Sequence, residues 1–440
     1  MSEALWEAPR ARGPLDAEVW VPGSKSETNR ALVMALLATS QTRIRGVLSC
    51  RDCDLMIAAI ESFGATVTRL ADDTLEVVPP LTLRAAENGI ECGLAGTVMR
   101  FLTPIAALCE GDTRFDGDEE ARLRPMGGLL DALSALGVSV TYEGIPGHLP
   151  YVIHGRGGLP GGRVSLDASA SSQFLSALLL VGPRCDADLE IVTGPEVPSR
   201  PHVDMTVSVM RARGGQVDPL EMSVTPFGDV VTAWRVHSGA LPGGQWQVAP
   251  DLTNAGPFLA APLIAGGQVR ILNWPADTTQ PGGAWRGLLT RMGGRANCDD
   301  EGGFLSQYMG PISGLDEKLS DYGELVPTLC ALAAFAVTPS RMSGIGHLRG
   351  HETDRLSALS DTLTALGARV REGRSSLSID PAPMRGCVVD SYADHRMAMT
   401  AALLGLGVEG VRVRGMSAVT KTFPAFVDVW TRMVRGEDDA

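Results

Sequence analysis

The chain is poor in aromatic residues and in charge, and it lacks any long apolar run. Aromatic residues make up 5% of its 440 residues, and charged residues make up 20%. No stretch approaches the ~20 consecutive apolar residues that a membrane-spanning helix needs. The first segment, MSEALWEAPRARG, carries acidic residues and lacks the apolar centre of a signal peptide. We therefore expect a cytoplasmic protein with no membrane partner.

Basic residues are also scarce, since 38 Lys and Arg stand against 51 Asp and Glu, which gives a net charge of −13. A basic surface for nucleic acid is excluded on this balance. Most of the polar motifs described below nevertheless contain Lys or Arg. Basic side chains concentrated in the cleft of an acidic protein favour a small anionic ligand.

The eight cysteines are scattered, and only Cys50 and Cys53 form a CxxC pair. A zinc site needs further ligands at matching spacing, and the sequence has no second CxxC and no CxxH. We therefore expect free thiols and no metal.

Short segments that read as a helix ending on Gly and running into a strand recur along the chain. Their first glycines stand at positions 64, 137, 214, 293 and 367, at intervals of 73, 77, 79 and 74 residues. A near-constant interval indicates one supersecondary unit copied several times. Apolar periodicity predicts twelve helices, at 27–39, 53–63, 97–109, 126–136, 171–180, 203–213, 253–265, 284–292, 324–336, 353–366, 396–405 and 423–434. With two helices in each unit, the twelve helices form six units, and the sixth unit lacks the glycine mark.

Two loop signals, Val21-Pro22-Gly23 and Leu241-Pro242-Gly243-Gly244, suggest where the chain divides. Cutting there gives a first domain of residues 23–243 and a second of residues 1–22 and 244–440. The two parts are nearly equal in length, so we expect two similar domains of three units each. A chain of this length is also too long for a single ordinary core.

The motif Pro22-Gly23-Ser24-Lys25-Ser26-Glu27-Thr28-Asn29-Arg30 breaks a strand and opens a helix. Unpaired N–H groups and partial positive charge at a helix start suit phosphate or carboxylate. Ser26 and Arg30 share a helix face, and Lys25 lies at the start of the same helix. The P-loop pattern GxxxxGK[ST] is absent, and a capped helix with surface cations remains the alternative.

Three further motifs combine a helix start with polar groups. Gly96, in Gly93-Leu94-Ala95-Gly96-Thr97-Val98-Met99-Arg100, lets a ligand approach the backbone. Arg124, before Pro125, is held extended and can bind an anion with its fork. Ser169-Ala170-Ser171-Ser172-Gln173-Phe174 is a hydroxyl cluster that also fits a simple helix cap.

The last three motifs lie in the C-terminal third, at residues 347–355 (HLRGHETDR), 390–399 (DSYADHRMAM) and 420–424 (TKTFP). The first is not the HExxH zinc motif, because Arg355 stands where the second His would be. His347 and His351 are four residues apart, but Gly350 and the nearby cations argue against a metal pair. A ligand-facing loop and helix start is the better interpretation.

Together, PGSKSETNR, AGTVMR, RPM, SSQF, HETDR, DHRMAM and TKTFP resemble, in their order and over residues 13–430, the enolpyruvyl transferases, and within them the 5-enolpyruvylshikimate-3-phosphate synthases. The resemblance implies an α/β (α+β) fold. Its two similar domains, each of three βαβαββ units, form an inside-out α/β barrel-like structure with the active site in the cleft between them. It also implies a monomer without cofactor or metal.

The implied reaction joins phosphoenolpyruvate to the 5-hydroxyl of shikimate-3-phosphate, on the route to chorismate and aromatic amino acids. Phosphate leaves by addition and elimination through a tetrahedral ketal. The resemblance assigns phosphoenolpyruvate to Lys25, Gly96, Arg124, Gln173, Arg355, Arg396 and Lys421. It assigns shikimate-3-phosphate to Ser26, Arg30, Ser171, Ser172, His202, Glu324 and His347, with His351 among the substrate-binding residues. Glu324 is the expected base, and Lys25 or a protonated Glu352 is the expected acid.

Several positions depart from the usual family pattern, namely Leu94 for Asn, Phe101 for Pro or Leu, His202 for Tyr, Glu324 for Asp, His347 for Asn and His351 for Lys. The related transferase that acts on UDP-N-acetylglucosamine usually has Lys-Asn where this chain has Lys25-Ser26, and a reactive Cys in the loop of Arg124. Neither feature is present. A non-catalytic anion-binding protein and a metalloenzyme built on His347, His351 and Glu352 are the rivals from other classes.

Overall fold

The computed structural model describes residues 5–195, 197–224 and 230–437. The strands are β1 (Trp6–Glu7), β2 (Leu15–Val19), β3 (Thr42–Arg45), β4 (Thr66–Ala71), β5 (Thr74–Val78), β6 (Ile90–Glu91), β7 (Glu110–Asp116), β8 (Ser139–Tyr142), β9 (Tyr151–Arg156), β10 (Gly162–Leu166), β11 (Leu189–Thr193), β12 (Val217–Val224), β13 (Val230–Val236), β14 (Gly244–Gln247), β15 (Gly267–Ile271), β16 (Gly294–Cys298), β17 (Phe304–Tyr308), β18 (Asp316–Lys318), β19 (Ser340–Ser343), β20 (Arg369–Glu372), β21 (Ser376–Asp380), β22 (Val388–Asp390) and β23 (Arg412–Arg414).

The helices are α1 (Lys25–Leu36), α2 (Arg51–Ser62), α3 (Gly96–Phe101), α4 (Thr103–Ala107), α5 (Glu119–Arg122), α6 (Gly127–Ala135), α7 (Ser172–Val181), α8 (Arg200–Ala212), α9 (Gly256–Ala265), α10 (Trp285–Arg291), α11 (Val326–Ala334), α12 (Arg355–Leu366), α13 (His395–Gly407) and α14 (Phe426–Arg435). Short 3-10 turns precede α10 (Pro281–Ala284) and α11 (Gly323–Leu325), and others lie at Gly182–Arg184, Gly346–Gly350 and Met416–Lys421. Among the described residues, no helix combines the length and apolar character needed to cross a bilayer.

The chain divides into two compact units, Met1–Pro22 with Pro250–Ala440, and Gly23–Ala249. We call these the C-terminal unit and the N-terminal unit. Each has its own apolar core. The Leu241-Pro242-Gly243-Gly244 segment leads into β14, which pairs in parallel with β3 and so lies in the N-terminal unit. The chain passes from β2 into α1 and later from β14 into α9. Both crossings therefore fall between the first strand and the first helix of a repeat.

One four-stranded sheet topology recurs five times in the described residues, and a sixth sheet has three strands. In the N-terminal unit the strand orders are β14-β3-β5-β4, β6-β7-β9-β8 and β10-β11-β13-β12. In the C-terminal unit they are β16-β17-β15-β2, β18-β19-β21-β20 and the three-stranded β1-β23-β22. Each has one parallel pair, such as β10 and β11, and every four-stranded sheet adds an antiparallel hairpin, such as β12 and β13. This confirms the predicted two-domain fold of repeated βαβαββ units.

The two helices of each repeat are buried to different degrees. The first helices, such as α7 and α13, bury almost every residue. The second helices, such as α8, bury only one face, with Val203, Met205, Thr206 and Met210 turned inward. A helix that is apolar all round belongs in a core, whereas an amphipathic one covers it. The buried helices therefore form the centre of each unit, which is the inside-out arrangement.

The glycine marks lie at helix C-termini, where Gly367 is the C-cap of α12 and the other four directly follow the C-cap residue. Gly64, Gly137, Gly214, Gly293 and Gly367 all have positive φ, between 76° and 111°, a conformation that side chains with a Cβ rarely adopt. The sixth unit has the same feature, because Gly436 caps α14 with φ 69°. The sequence pattern missed this sixth mark because it required a following strand.

The predicted helix 97–109 is two helices, α3 and α4, which meet at Leu102. Pro104 has no N–H to donate back to the preceding turn. The hydroxyl of Thr103 donates instead to the carbonyl of Met99 at 2.6 Å. The predicted helix 203–213 begins earlier, at Arg200, because Pro201 is favourable in a first helical turn. The short helix α5 was not predicted.

Candidate active site

The predicted site residues cluster at the start of helices, in the loops that follow strands. In the N-terminal unit these are the starts of α1, α3, α7 and α8, together with the loop before α6. In the C-terminal unit they are the starts of α12 and α13 and the turns before α11 and α14. Ser199, Tyr392 and Ala393 lie in these loops and have φ 53°. Such backbone strain in a non-Gly residue is typical of functional loops.

Lys25 opens α1 and forms a partly buried ion pair. Its Nζ lies 3.1 Å from the Oδ2 of Asp52, and the two side chains are 17% and 4% exposed. Ser24 caps the helix by accepting from the N–H of Glu27, whose carboxylate accepts from the N–H of Ala249 at 2.9 Å. Because its neighbours are fixed in this way, the ammonium of Lys25 is held at the helix start beside Ser26.

Arg30 is 1% exposed and bonds entirely within the N-terminal unit. Its Nε donates to the Oγ1 of Thr206 at 2.7 Å, and its Nη1 and Nη2 donate to the carbonyls of Ser26 (2.9 Å) and His202 (3.0 Å). The guanidinium also lies 5.0 Å from the ring centroid of Phe101. Burial lowers the pKa of Arg30 to about 10. This geometry supports a positioning role, in which Arg30 joins the Ser26 and His202 loops.

Gly96 lies against three polar side chains of the N-terminal unit. A Cβ there would lie 2.9 Å from the Nη1 of Arg100, 2.9 Å from the Nη2 of Arg124 and 3.0 Å from the Oε1 of Gln173. The Nη1 of Arg100 donates to that Oε1 at 2.9 Å, and the Nη1 of Arg124 donates to the carbonyl of Leu94 at 3.0 Å. We call Gly96, Arg100, Arg124 and Gln173 the anion cradle.

Arg124 gives the cradle a cation whose described hydrogen bond is to a neutral oxygen, the carbonyl of Leu94. Arg124 is 7% exposed, and its Nε is buried without a hydrogen-bond partner. A buried donor left unsatisfied is unfavourable, and an anion would satisfy it. Since the residue at position 94 bonds through its backbone carbonyl, the Leu94 departure leaves this contact available.

The hydroxyl cluster begins α7 as predicted. Ser171 caps the helix by accepting from the N–H of Gln173 at 3.2 Å, and Ser172 is 5% exposed. The side chain of Gln173 belongs to the cradle. The serines and the cradle therefore share the start of one helix.

Arg355 is the centre of the site in the C-terminal unit and is fully buried. Its Nε lies 2.7 Å from Asp394, its Nη2 2.9 Å from Glu352 and its Nη1 3.1 Å from Glu324. Its Nη1 also lies 3.0 Å from the Nδ1 of His351. Burial alone would lower the pKa of Arg355, but the three carboxylates raise it well above its usual value. We call this group the carboxylate network.

Glu324 is held ionised within this network. Burial would raise its pKa, but the charges of Arg355, His351 and Arg396 hold it well below the usual value for a glutamate. The Nδ1 of His351 lies 3.3 Å from its Oε1. An ionised, oriented carboxylate is able to accept a proton.

Arg396 and Lys421 complete the cations of the C-terminal unit. The Nη1 of Arg396 donates to the Oδ1 of Asn254 at 2.7 Å, and its Nε lies 3.4 Å from Glu324. The Nζ of Lys421 lies 3.2 Å from the Oε1 of Glu352. Each expected phosphoenolpyruvate cation of this unit is therefore paired with protein oxygens.

His347 is mostly buried beside the network. Its Nε2 has no hydrogen-bond partner, and its ring centroid lies 5.9 Å from that of His351. Burial, followed by the charge of His351, lowers the pKa of His347 to about 4. The described residues contain no group of three or more His, Cys, Asp or Glu side chains placed to hold a metal ion.

Sequence reasoning missed several members of the site. Arg100 lies one helical turn after Gly96 on α3, so its spacing was an available signal. Asp52 and Asn254 lacked such a signal in their own surroundings. Asn254 lies in the loop before α9, where the second crossing enters the C-terminal unit. Arg122, in the same motif as Arg124, instead pairs with Asp116 on the surface.

Known proteins are similar to this chain over nearly its whole length. The family model for EPSP synthase (3-phosphoshikimate 1-carboxyvinyltransferase) matches residues 9–430. The chain belongs to the EPSP synthase family. A relative from Kocuria rhizophila, named 3-phosphoshikimate 1-carboxyvinyltransferase, is 46% identical over 443 residues, covering 98% of this chain and 97% of the relative.

Solved structures share the fold. EPSP synthase from Acinetobacter baumannii superposes with a TM-score of 0.76 at 23% identity, covering 98% of this chain and 97% of the other. The enolpyruvyl transferase NikO from Streptomyces tendae gives a TM-score of 0.74 at 19% identity, with 98% of each chain covered. Two differently named enolpyruvyl transferases are thus similar to this chain in fold, so the fold alone does not choose the substrate.

Proposed function

We propose that this chain transfers the enolpyruvyl group of phosphoenolpyruvate to the 5-hydroxyl of shikimate-3-phosphate and releases phosphate. The proposal follows from membership of the EPSP synthase family and from the 46% identity to a 3-phosphoshikimate 1-carboxyvinyltransferase over nearly the full chain. The structural observation that carries it is the anion cradle, where Gly96 leaves room between Arg124 and Gln173. Both substrates carry a phosphate and a carboxylate, which the buried cations suit.

Residues of both units act on the same pair of substrates in this proposal. The cradle and Lys25 provide positive charge in the N-terminal unit, and Arg355, Arg396 and Lys421 provide it in the C-terminal unit. Neither set alone includes both Arg124 and the carboxylate of Glu324, the proposed proton acceptor. The hydroxyls of Ser171 and Ser172, with Ser26 and the His202 loop, bind shikimate-3-phosphate.

Glu324 acts as the base that accepts the proton of the attacking 5-hydroxyl. Its support is electrostatic, because Arg355 and His351 keep its carboxylate ionised. Attack of the 5-oxygen on C2 of phosphoenolpyruvate, with protonation at C3, forms a tetrahedral ketal. Elimination of phosphate and loss of a C3 proton then give the enol ether. Fixed cations stabilise the charge that develops in these steps.

Glu352 is the better supported of the two candidates for the acid that protonates C3. It lies 2.9 Å from Arg355 and 3.2 Å from Lys421, both of which are expected anchors of phosphoenolpyruvate. A substrate anion that takes these cations removes the ion pairs that favour the Glu352 carboxylate, and the carboxyl is then easier to protonate. Lys25, by contrast, remains paired with Asp52 and serves as an anion anchor.

The test is phosphate release from phosphoenolpyruvate, with shikimate-3-phosphate and separately with UDP-N-acetylglucosamine, for the wild type and Glu324→Gln. We expect release with shikimate-3-phosphate only, and a loss of about 10²–10⁴-fold in kcat for the variant. Release with UDP-N-acetylglucosamine would overturn the substrate assignment. Release with neither, by a protein that binds both anions, would indicate a non-catalytic binding protein.

The acid assignment has its own measurement, which is deuterium incorporation from solvent into the C3 methylene at saturating substrates. Glu352→Gln should lower this incorporation, whereas Lys25→Met should mainly raise the KM for phosphoenolpyruvate. The opposite pattern would assign the acid to Lys25. We also propose that the protein acts as a cytoplasmic monomer, which sedimentation of the purified protein would test for the oligomeric state.

A further inference from the structure

Two cysteines lie at the start of α2, beside a residue that contacts the proposed site. Cys50 is the N-cap in extended backbone, and Cys53 is the third residue of the helix. The carbonyl of Cys50 accepts from the N–H of Cys53 at 3.0 Å and from that of Asp54 at 2.9 Å. Cys50, Cys53 and Leu48 form a small buried cluster apart from the main core. The thiols are therefore held on one helical turn, one at its cap and one within it.

The two thiols differ in pKa and in exposure, as the attacking and resolving thiols of a redox-active pair do. The pKa of the Cys50 thiol is lowered, mainly by the adjacent Cys53 side chain and against the effect of burial. Burial raises the pKa of the Cys53 thiol well above its usual value. Cys50 is 5% exposed and Cys53 is fully buried. Because the thiolate is the attacking form, Cys50 is the nucleophile and Cys53 the resolving thiol.

The pair encloses Asp52, the partner of Lys25. Asp52 is 2% exposed, and its Oδ2 lies 3.1 Å from the Nζ of Lys25. A disulfide requires Cβ atoms about 3.8 Å apart and a narrow range of dihedral angles. Closing that ring over Arg51 and Asp52 constrains the first turn of α2, and therefore the position of the Asp52 carboxylate.

We propose that Cys50 and Cys53 form a redox-active dithiol that small disulfides oxidise to an intrachain disulfide, which shifts Asp52 relative to Lys25. The Cys50 thiolate attacks a disulfide RSSR, forming a mixed disulfide and releasing one RS⁻. The Cys53 thiol then loses its proton and attacks the Cys50 sulfur, which releases the second RS⁻. The dithiol loses two electrons and two protons, and RSSR becomes two RSH.

The consequence for catalysis rests on the proposed function, in which Lys25 binds phosphoenolpyruvate. Displacing Asp52 removes the Lys25–Asp52 ion pair and changes the position of the ammonium, so the oxidised protein should have a weaker phosphoenolpyruvate site. We expect the KM for phosphoenolpyruvate to rise by about fivefold to tenfold, an effect of the size expected for one partly buried ion pair. The KM for shikimate-3-phosphate should change less.

The experiment treats the purified full chain with oxidised glutathione and follows thiols, intact mass and kinetics. We expect the wild type to lose two hydrogens in mass, to yield a peptide in which Cys50 is linked to Cys53, and to regain its initial KM after dithiothreitol. Cys53→Ser should instead retain one glutathione on Cys50. Cys298→Ser, which removes an exposed thiol, is the control and should behave as the wild type.

Two results would overturn the proposal. One is that both thiols stay reduced while the exposed Cys298 reacts, which would make the pair structural. The other is that the disulfide forms but the KM for phosphoenolpyruvate stays unchanged, which would refute the coupling through Asp52. Thiol counting and mass do not depend on turnover. Failure of the transferase assignment would instead appear as absent phosphate release in the reduced protein.

Discussion

The two units use opposite electrostatic arrangements for their site residues. In the N-terminal unit, Arg100 and Arg124 donate to an amide oxygen and a backbone carbonyl. In the C-terminal unit, Arg355 contacts three carboxylates within 3.1 Å. The described hydrogen bond of Arg124 is therefore to a neutral group, whereas Arg355 is neutralised by carboxylates before any ligand binds.

The difference shows how burial and chemistry constrain each other. A fully buried arginine without carboxylates would be costly to desolvate, so the Arg355 network is required for stability as well as for function. It also contains the groups able to move protons, Glu324 and Glu352. The cradle contains no carboxylate among its four members and is suited to hold an anion. In the proposed function, both units contribute cations to substrate binding, and proton transfer belongs to the C-terminal unit.

The largest expected effect is a difference in the free energy of unfolding between variants of Arg355 and Arg124. Arg355→Met leaves three carboxylates without their shared cation, and we expect a loss of about 3–5 kcal/mol. Arg124→Met removes one bond to a carbonyl, with an expected loss of about 1 kcal/mol. Both variants should raise the KM for phosphoenolpyruvate strongly. Urea unfolding midpoints measure the first difference, and equal midpoints would contradict the comparison.

The next effect concerns acid stability. The pKa of His347 is lowered from 6.5 to about 4, so between these values the unfolded chain binds more protons than the folded one. Stability is therefore fully present above pH 6.5 and falls as the pH drops towards 4, by at most about 3 kcal/mol. His347→Asn should flatten this slope in thermal unfolding.

The matching control is His148→Asn, because His148 is only half-buried and lies in the N-terminal unit, apart from the carboxylate network. It should leave the slope between pH 6.5 and 4 unchanged. Glu324, with its lowered pKa, contributes stability that is lost only below pH 4.5, so the two groups act in separate windows. A wild-type slope that persists in His347→Asn would assign the acid sensitivity to other groups.

The smallest effect probes the space in the cradle. Gly96→Ala places a Cβ about 3 Å from Arg100, Arg124 and Gln173, so these side chains have to shift. We expect the KM for phosphoenolpyruvate to rise about tenfold, equivalent to about 1.4 kcal/mol, with little change in unfolding midpoint. A change confined to the KM for shikimate-3-phosphate would place the cradle on the wrong substrate.

Repetition made the fold predictable from the sequence. Each predicted helix has a counterpart, because the glycine caps and apolar periodicity are local signals. The division of helix 97–109 at Leu102 depends on Pro104, which was visible, and on the bond from Thr103 to Met99, which was not. The pairing of β1 with β23 joins residues more than 400 positions apart, and no local signal predicts it.

The candidate site was predictable to the level of motifs. Lys25, Arg124 and Arg355 stand in recognisable segments, and the structure places each at or beside a helix start. Their partners were not predictable, because the CxxC segment around Asp52 gives no signal for an ion pair with Lys25, and Asn254 lies in a loop without a distinctive pattern. Arg30 shares a helix face with Ser26, as the spacing predicts, but its bonds to Thr206 and His202 join distant residues and had no local signal. Its contact with shikimate-3-phosphate stays a prediction.

The sequence by itself determined the six repeats, their capped helices and the family of the enzyme, since these depend on residue types at short and regular spacing. Only the tertiary structure decided which cations are neutralised and which remain able to bind an anion. That outcome depends on contacts between residues far apart in the chain, as between Arg355 and Asp394 or Arg100 and Gln173. Electrostatic interactions and burial depend on distances in space, and the order of residues along the chain does not specify those distances.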